Sequence, residues 1–155
     1  MQLSKLRLSI EQAKRYHSKL IVVVGHSAPP LLDHAASEDN LVNVNLGLAL
    51  SERLIAVPRQ DRAKAAAQSF DDLLHELNAR VMLLTHIEIL FDKTLSIEPL
   101  KLLQSSAKNL TLVVAWPGEK TTSSLIYAVP SHPEYRNYKA SDFGETIFVD
   151  AGKNG

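Results

Sequence analysis

The chain has 155 residues, no cysteine, and 17 basic against 17 acidic side chains, a formal net charge of zero. A length of this order predicts one domain spanning 1–155, able to bury roughly 68–70% of its unfolded surface. The missing cysteines exclude disulfides, thiolate zinc sites and cysteine nucleophiles, and the charge balance argues against direct nucleic-acid binding or an anionic-membrane clamp, both of which need excess Lys and Arg.

Leu3, Leu6, Ile10 and Ala13 recur at helical spacing among Lys5, Arg7, Glu11 and Lys14, which predicts an amphipathic helix over residues 3–17. This mixed-charge opening has no signal-peptide character, and no stretch approaches the ~20 apolar residues that span a bilayer. The expected location is the cytoplasm. The run from Lys19 to Gly25 (KLIVVVG) is apolar without alternation, as suits a strand covered on both faces of a parallel sheet. Further strands are predicted at 41–46, 80–87 (RVMLLTHI) and 110–116 (LTLVVAW). Helices are predicted between them: 48–57, closed by Pro58; 61–77, with Ala66, Phe70, Leu73, Leu74 and Leu77 on one stripe; and 97–108, capped by Ser96. After Pro117-Gly118 two short strands, 124–129 and 146–150, are joined by a polar, proline-bearing stretch, and the tail 151–155 is expected to fray. Alternating strand and helix predict an α/β three-layer sandwich with a mainly parallel sheet.

Ligands of such sheets bind outside the carboxyl ends of the strands, which directs attention to Gly25-His26-Ser27, Asn45, Thr85-His86 and Trp116-Pro117. A phosphate-binding loop at the first of these requires G-x-x-x-x-G-K-[ST]: amides to cradle phosphate, a lysine to neutralise it, a hydroxyl to hold Mg²⁺. Aligned on Gly25, this chain has Pro30 for the second glycine, Leu31 for the lysine and Leu32 for the hydroxyl. Pro29 and Pro30 also delete two amide donors. Thr85 stands where a strand-end aspartate would serve the metal. Glu88 and Asp92 beyond it are candidate ligands for a metal or water, and equally suit a solvated surface.

Gly25-His26-Ser27-Ala28-Pro29 also echoes the G-x-S-x-G nucleophile elbow, with Ser27 as nucleophile and Asp92 or Asp142 with His132 or His86 as partners. Pro29 sits where that turn needs a small residue. The six histidines show no metal-binding spacing, so no metal site is expected, although His26, His34 and His86 fall near strand ends. Arg59 and Arg62 of RQDR suit either a partner's phosphate or a solvated helix face.

Five strings carry a resemblance in register: NVNLGLALSERL (43–54), RQDR (59–62), HIEILFD (86–92), PLKLLQSSAKNLTLVVAWPG (99–118) and HPEYRNY (132–138). Together they resemble the BrxF family, small P-loop-containing proteins of type 3 bacteriophage-exclusion (BREX) systems. The resemblance implies a P-loop NTPase-like fold and a role in phage defence. It also implies neighbours that include a large ATPase, a DNA methyltransferase, a helicase-like protein and an alkaline-phosphatase-like protein. Family members carry a loop ending GK[ST] and a strand reading roughly LLDNIEILFD. This chain matches at Gly25, Glu88 and Asp92 and departs at Pro30, Leu31, Leu32 and Thr85. The lysine, the magnesium hydroxyl and the magnesium aspartate are therefore lost together.

The expectation that follows is a degenerate P-loop-like subunit with no cofactor, acting by protein–protein contact with other BREX proteins, the large ATPase foremost. RQDR, HIEILFD and HPEYRNY, with Tyr135, Arg136 and Tyr138, are the expected contact segments. The alternatives are an atypical ATP/Mg²⁺-dependent NTPase completed by a partner, and a serine hydrolase at Ser27. A homo-oligomer is compatible with each.

Overall fold

We describe residues 2–152 in a computed structural model of the chain. The order of elements is α1 (Gln2–Ala13), β1 (Leu20–Val24), α2 (Ala28–Asp39), β2 (Val42–Asn45), α3 (Leu46–Ile55) and α4 (Arg62–Leu77). There follow β3 (Val81–Thr85), α5 (Pro99–Ser106), β4 (Thr111–Ala115), β5 (Glu119–Lys120), β6 (Ser124–Tyr127), β7 (Arg136–Lys139), α6 (Ala140–Phe143) and β8 (Ile147–Asp150). Five strands form one parallel sheet in the order β2-β3-β4-β1-β8, and β5-β6-β7 form a separate antiparallel sheet. The fold is α/β with helices on both faces of the main sheet.

The unbroken apolar strands follow from this layering, because successive side chains point to opposite, equally dry faces. Leu20, Val22 and Val24 of β1 join one core cluster with Leu112 and Val114 of β4, Met82 and Leu84 of β3, and residues of α3, α4 and α5. Ile21, Val23, Leu83 and Val113 join the other, with Leu6 and Ala13 of α1 and Leu31, Leu32 and Ala35 of α2. Each fully buried aliphatic side chain of this kind contributes about 1.5–3 kcal/mol. A residue shift in register would exchange the two sets between the faces.

Several boundaries differ from expectation, each for a local reason. Helix α1 stops at Ala13 rather than 17 because the amides of Lys14, Arg15 and Tyr16 bond three residues back, to Glu11, Gln12 and Ala13. The third strand ends at Thr85 because His86 adopts a left-handed conformation (φ 56°), after which 87–91 winds as a 3₁₀ turn. Ser96 is not the cap of the next helix: it too is left-handed (φ 54°), and Glu98 takes the role, its Oε1 accepting the amides of Leu100 and Lys101. The tail does not fray at its start. Ala151 is fully buried and its amide donates to the Val24 carbonyl at 2.7 Å; residues 153–155 lie outside the described residues.

The polar stretch after Gly118 hides a second sheet, which side chains fasten to the first. Trp116 Nε1 donates to the Ile126 carbonyl at 2.9 Å. Phe91 stacks on Tyr127 (centroids 3.9 Å, 25°) and meets Trp116 edge-on (5.5 Å, 80°). Trp116 in turn meets Tyr138 edge-on at 6.2 Å. The Tyr138 hydroxyl donates to both Glu98 oxygens, at 3.0 and 3.1 Å, while Arg136 lies 3.7 Å from the same carboxylate.

Burial, and then the negative charge of Glu98, raise the Tyr138 phenol well above its ordinary value of 10.0. A group whose pKa is raised on folding stabilises the fold fully below the unfolded value and ceases to do so as pH climbs. Stability is therefore expected to fall above pH about 10, and less steeply in Tyr138→Phe. At neutral pH the same variant should lose about 1–2 kcal/mol through the missing bond to a charged acceptor that water partly reaches. Thermal midpoints of the two proteins from pH 7 to 11 check both; parallel curves would remove Glu98–Tyr138 as a tether.

Candidate functional site

The loops after neighbouring β1 and β4 leave toward opposite faces: α2 covers one, and β5-β6-β7 the other. Such a divergence opens a crevice at the carboxyl ends of the strands. Here it is a cavity of about 730 Å³, within the size range of small-molecule sites. Val24, Gly25, His26 and Pro29 form one wall, Trp116, Pro117 and Gly118 another, and Glu119, Lys120 and Asp150 the polar rim.

Two glycines shape it. Gly25 has φ 109°, and a β-carbon there would stand 2.9 Å from the Gly152 carbonyl oxygen. A β-carbon on Gly118 would run into the Ile126 backbone carbonyl, the same oxygen that Trp116 holds.

The first turn of α2 decides what the cavity can bind. The Ala28 amide donates to Gly25 O (3.1 Å), Pro29 and Pro30 have no amide, and Leu31 N donates to Ser27 O (2.9 Å). Residues 28–31 thus offer no free N–H, whereas anion sites at helix N-termini consist of such groups. Leu31 and Leu32, at the lysine and hydroxyl positions of a phosphate loop, are buried in the core beneath α1. Pro30 is exposed. Of the loop residues singled out from the sequence, only Gly25 and His26 line the cavity with Pro29.

The polar rim is largely committed. Lys120 Nζ donates to Thr121 O at 2.6 Å and lies over the rings of Phe143 and Phe148, 5.4 and 4.9 Å from their centroids. Asp150 Oδ1 accepts the Gly152 amide at 2.8 Å. His26 is exposed at the mouth. Strand-end logic reaches Trp116 and, through the end of β8, would have reached Asp150. Lys120 escapes it because a two-residue strand has no period to detect.

The remaining candidates do not converge on the cavity. Thr85 is buried at the end of β3, its Oγ1 donating to Val44 O at 3.4 Å and lying 3.1 Å from His86 Nδ1. Asn45 caps α3 through Leu48 N. Asp92 caps the turn that follows it, its Oδ1 accepting both the amide and the hydroxyl of Thr94; Glu88 is exposed. Among the described residues no three His, Asp or Glu side chains form a metal-holding group.

Asp142 accepts the Lys139 amide, His132 Nδ1 accepts the Glu134 amide, and no described side-chain hydrogen bond involves Ser27. Of the contact candidates, Arg59 is exposed, but Arg62 Nε donates to Val57 O at 2.9 Å and secures the turn into α4. Tyr135 and Arg136 are half-buried. Tyr138 is a correction: its side chain is buried and bonded to Glu98, leaving nothing to offer a partner.

Among the described residues no helix is long and apolar enough to cross a membrane. No family model matches the chain, and no curated protein matches it. A solved structure, that of C. elegans PCH-2, aligns with 97% of this chain at 11% sequence identity and a TM-score of 0.46. The chain spans 42% of that protein's length.

Proposed function

We propose that this chain is a P-loop-NTPase-like domain that has given up nucleotide chemistry and works by protein–protein contact in a cytoplasmic phage-defence assembly of the BREX type. The observation that carries the loss of chemistry is the first turn of α2, where every amide is absent or already bonded and the lysine and hydroxyl positions are core leucines. Support for the setting is the five-string resemblance to BrxF, and on that basis the large ATPase is the expected partner. Contact with DNA falls to the partners, in keeping with the zero net charge. Of the expected contact residues, Arg59 is exposed and Tyr135 and Arg136 are half-buried, so Arg59 is the side chain most open to docking.

Calorimetric titration with Mg²⁺–ATP is expected to give no binding heat up to millimolar nucleotide. Micromolar binding with turnover would overturn the proposal. Co-purification with the large ATPase, weakened by Arg59→Glu, is the matching positive result. A site completed by a partner's lysine is not favoured, because residues 28–31 would still present no free amide to phosphate.

A further inference from the structure

The charge balance of the whole chain conceals an uneven distribution over two helices that lie on opposite faces of the main sheet. Helix α1 packs against β1, β8 and α2, whereas α3 packs against β2, β3, α4 and the turn at 87–91. Each carries large apolar side chains in solvent. Leu8 on α1 is 70% exposed, and Leu48 and Ile55 on α3 are 61% and 74% exposed. The latter two stand seven residues apart, on one stripe of the helix.

The charges around these residues are opposite. Within α1 and the turn after it, Lys5, Arg7, Lys14 and Arg15 outnumber Glu11. Arg7 is paired with Asp39 and Lys14 with Glu11, but Lys5 and Arg15, three residues before and seven after Leu8, enter none of the ion pairs among the described residues. On the other helix Glu52 falls between Leu48 and Ile55, four residues after one and three before the other, and enters none of them either. Glu88, on the turn packed against α3, is exposed and likewise outside them. Glu11, three residues after Leu8, is held by Lys14, and Arg53, next to Glu52, is held by Glu76, so the unpaired charges near the apolar side chains are cations on one face and carboxylates on the other. Each face repels its own kind and fits the other.

We infer that α1 of one copy docks on α3 of a second copy, Leu8 seating between Leu48 and Ile55 while Lys5 and Arg15 approach Glu52 and Glu88. The two faces belong to opposite sides of one molecule, so the contact is heterologous and leaves a free face at each end of the assembly. Two short helix faces bury less than a standard interface, so the association is weak and concentration-dependent. Nothing in this contact depends on the nucleotide cavity or on the proposed defence setting.

Sedimentation of the full chain across a range from ~10 to ~500 µM tests it, a range suited to a small interface. The weight-average mass should rise with concentration, and raising salt from ~0.05 to ~0.5 M should weaken association roughly tenfold. Two surface variants provide the decisive comparison: Lys5→Glu with Leu8→Glu on one face, and Leu48→Lys with Ile55→Lys on the other. Each alone should be a folded monomer with the parental thermal midpoint. Mixed in equal amounts they should form a one-to-one dimer and nothing larger, since each retains one intact face. A parent that stays monomeric throughout, a single-face variant that still self-associates, or a mixture that does not pair would each overturn the inference.

Discussion

Phe91→Ala is expected to lower the stability of the fold by about 3–5 kcal/mol, the range for deleting a large aromatic side chain from a closed core. Phe91 is 1% exposed and is the meeting point of three elements. It stacks on Tyr127 of the small sheet and meets Trp116 at the end of β4, while its own backbone closes the 3₁₀ turn after β3. Such aromatic pairs add about 0.5–1.5 kcal/mol beyond burial, and no neighbouring chain can collapse into the space without dragging the second sheet. Trp116 is the only tryptophan, so its emission reports on this contact directly. Denaturant unfolding followed by that emission should show an earlier midpoint and a native spectrum shifted toward the solvated form. Phe91→Leu, which keeps most of the volume, should recover more than half of the loss. A cost below about 1 kcal/mol for Phe91→Ala would mean that the second sheet is held elsewhere.

The same segment marks how far the sequence could be read. Its apolar residues and carboxylates are both visible in HIEILFD, but their roles are set by the backbone. Because His86 turns left-handed, Ile87, Leu90 and Phe91 point into the core and Asp92 is left to bond Thr94. No periodicity rule anticipates a single residue of positive φ that is not glycine. The parallel strands were legible for the opposite reason. An unbroken β-branched run needs cover on both faces, and only a layered α/β fold supplies it. The strands β5 and β7, reading EK and RNYK, show no apolar alternation in sequence, and only Tyr138 of β7 enters the core. The small sheet is held by bonds that form only after folding: Tyr138 of β7 donates to Glu98, 40 residues back, and Trp116 donates to the Ile126 carbonyl of β6. The cavity was therefore half legible: its floor at Gly25 and Trp116 follows from strand ends, its rim at Lys120 does not.

Introducing phosphate-loop residues after β1 should unfold the site rather than create a nucleotide cradle. The triple substitution Pro30→Gly, Leu31→Lys and Leu32→Thr rewrites the loop to the pattern that cradles phosphate elsewhere. In this chain the two leucines belong to the cluster formed by α1, α2 and the inner side chains of β1, β3 and β4. Leu32 is fully buried, and shortening such a side chain costs about 2–5 kcal/mol. Burying the new hydroxyl without a partner adds roughly 1–3 kcal/mol. Leu31 is 7% exposed, so a lysine there must either desolvate its ammonium or swing out and leave a void. Against a total stability of about 5–15 kcal/mol, these losses leave little or no folded protein at 37 °C. Pro30→Gly alone, at an exposed position, should be tolerated within about 1–2 kcal/mol and should gain no micromolar affinity, because the single N–H it supplies stands between bonded amides at Ala28 and Leu31 with no lysine or hydroxyl beside it. Thermal midpoints and Mg²⁺–ATP titration of the single and triple variants separate the possibilities. A triple variant that kept its midpoint within a few degrees and bound ATP at micromolar affinity would show the loop to be a dormant nucleotide site. That result would take away the physical ground for a domain that acts by docking alone.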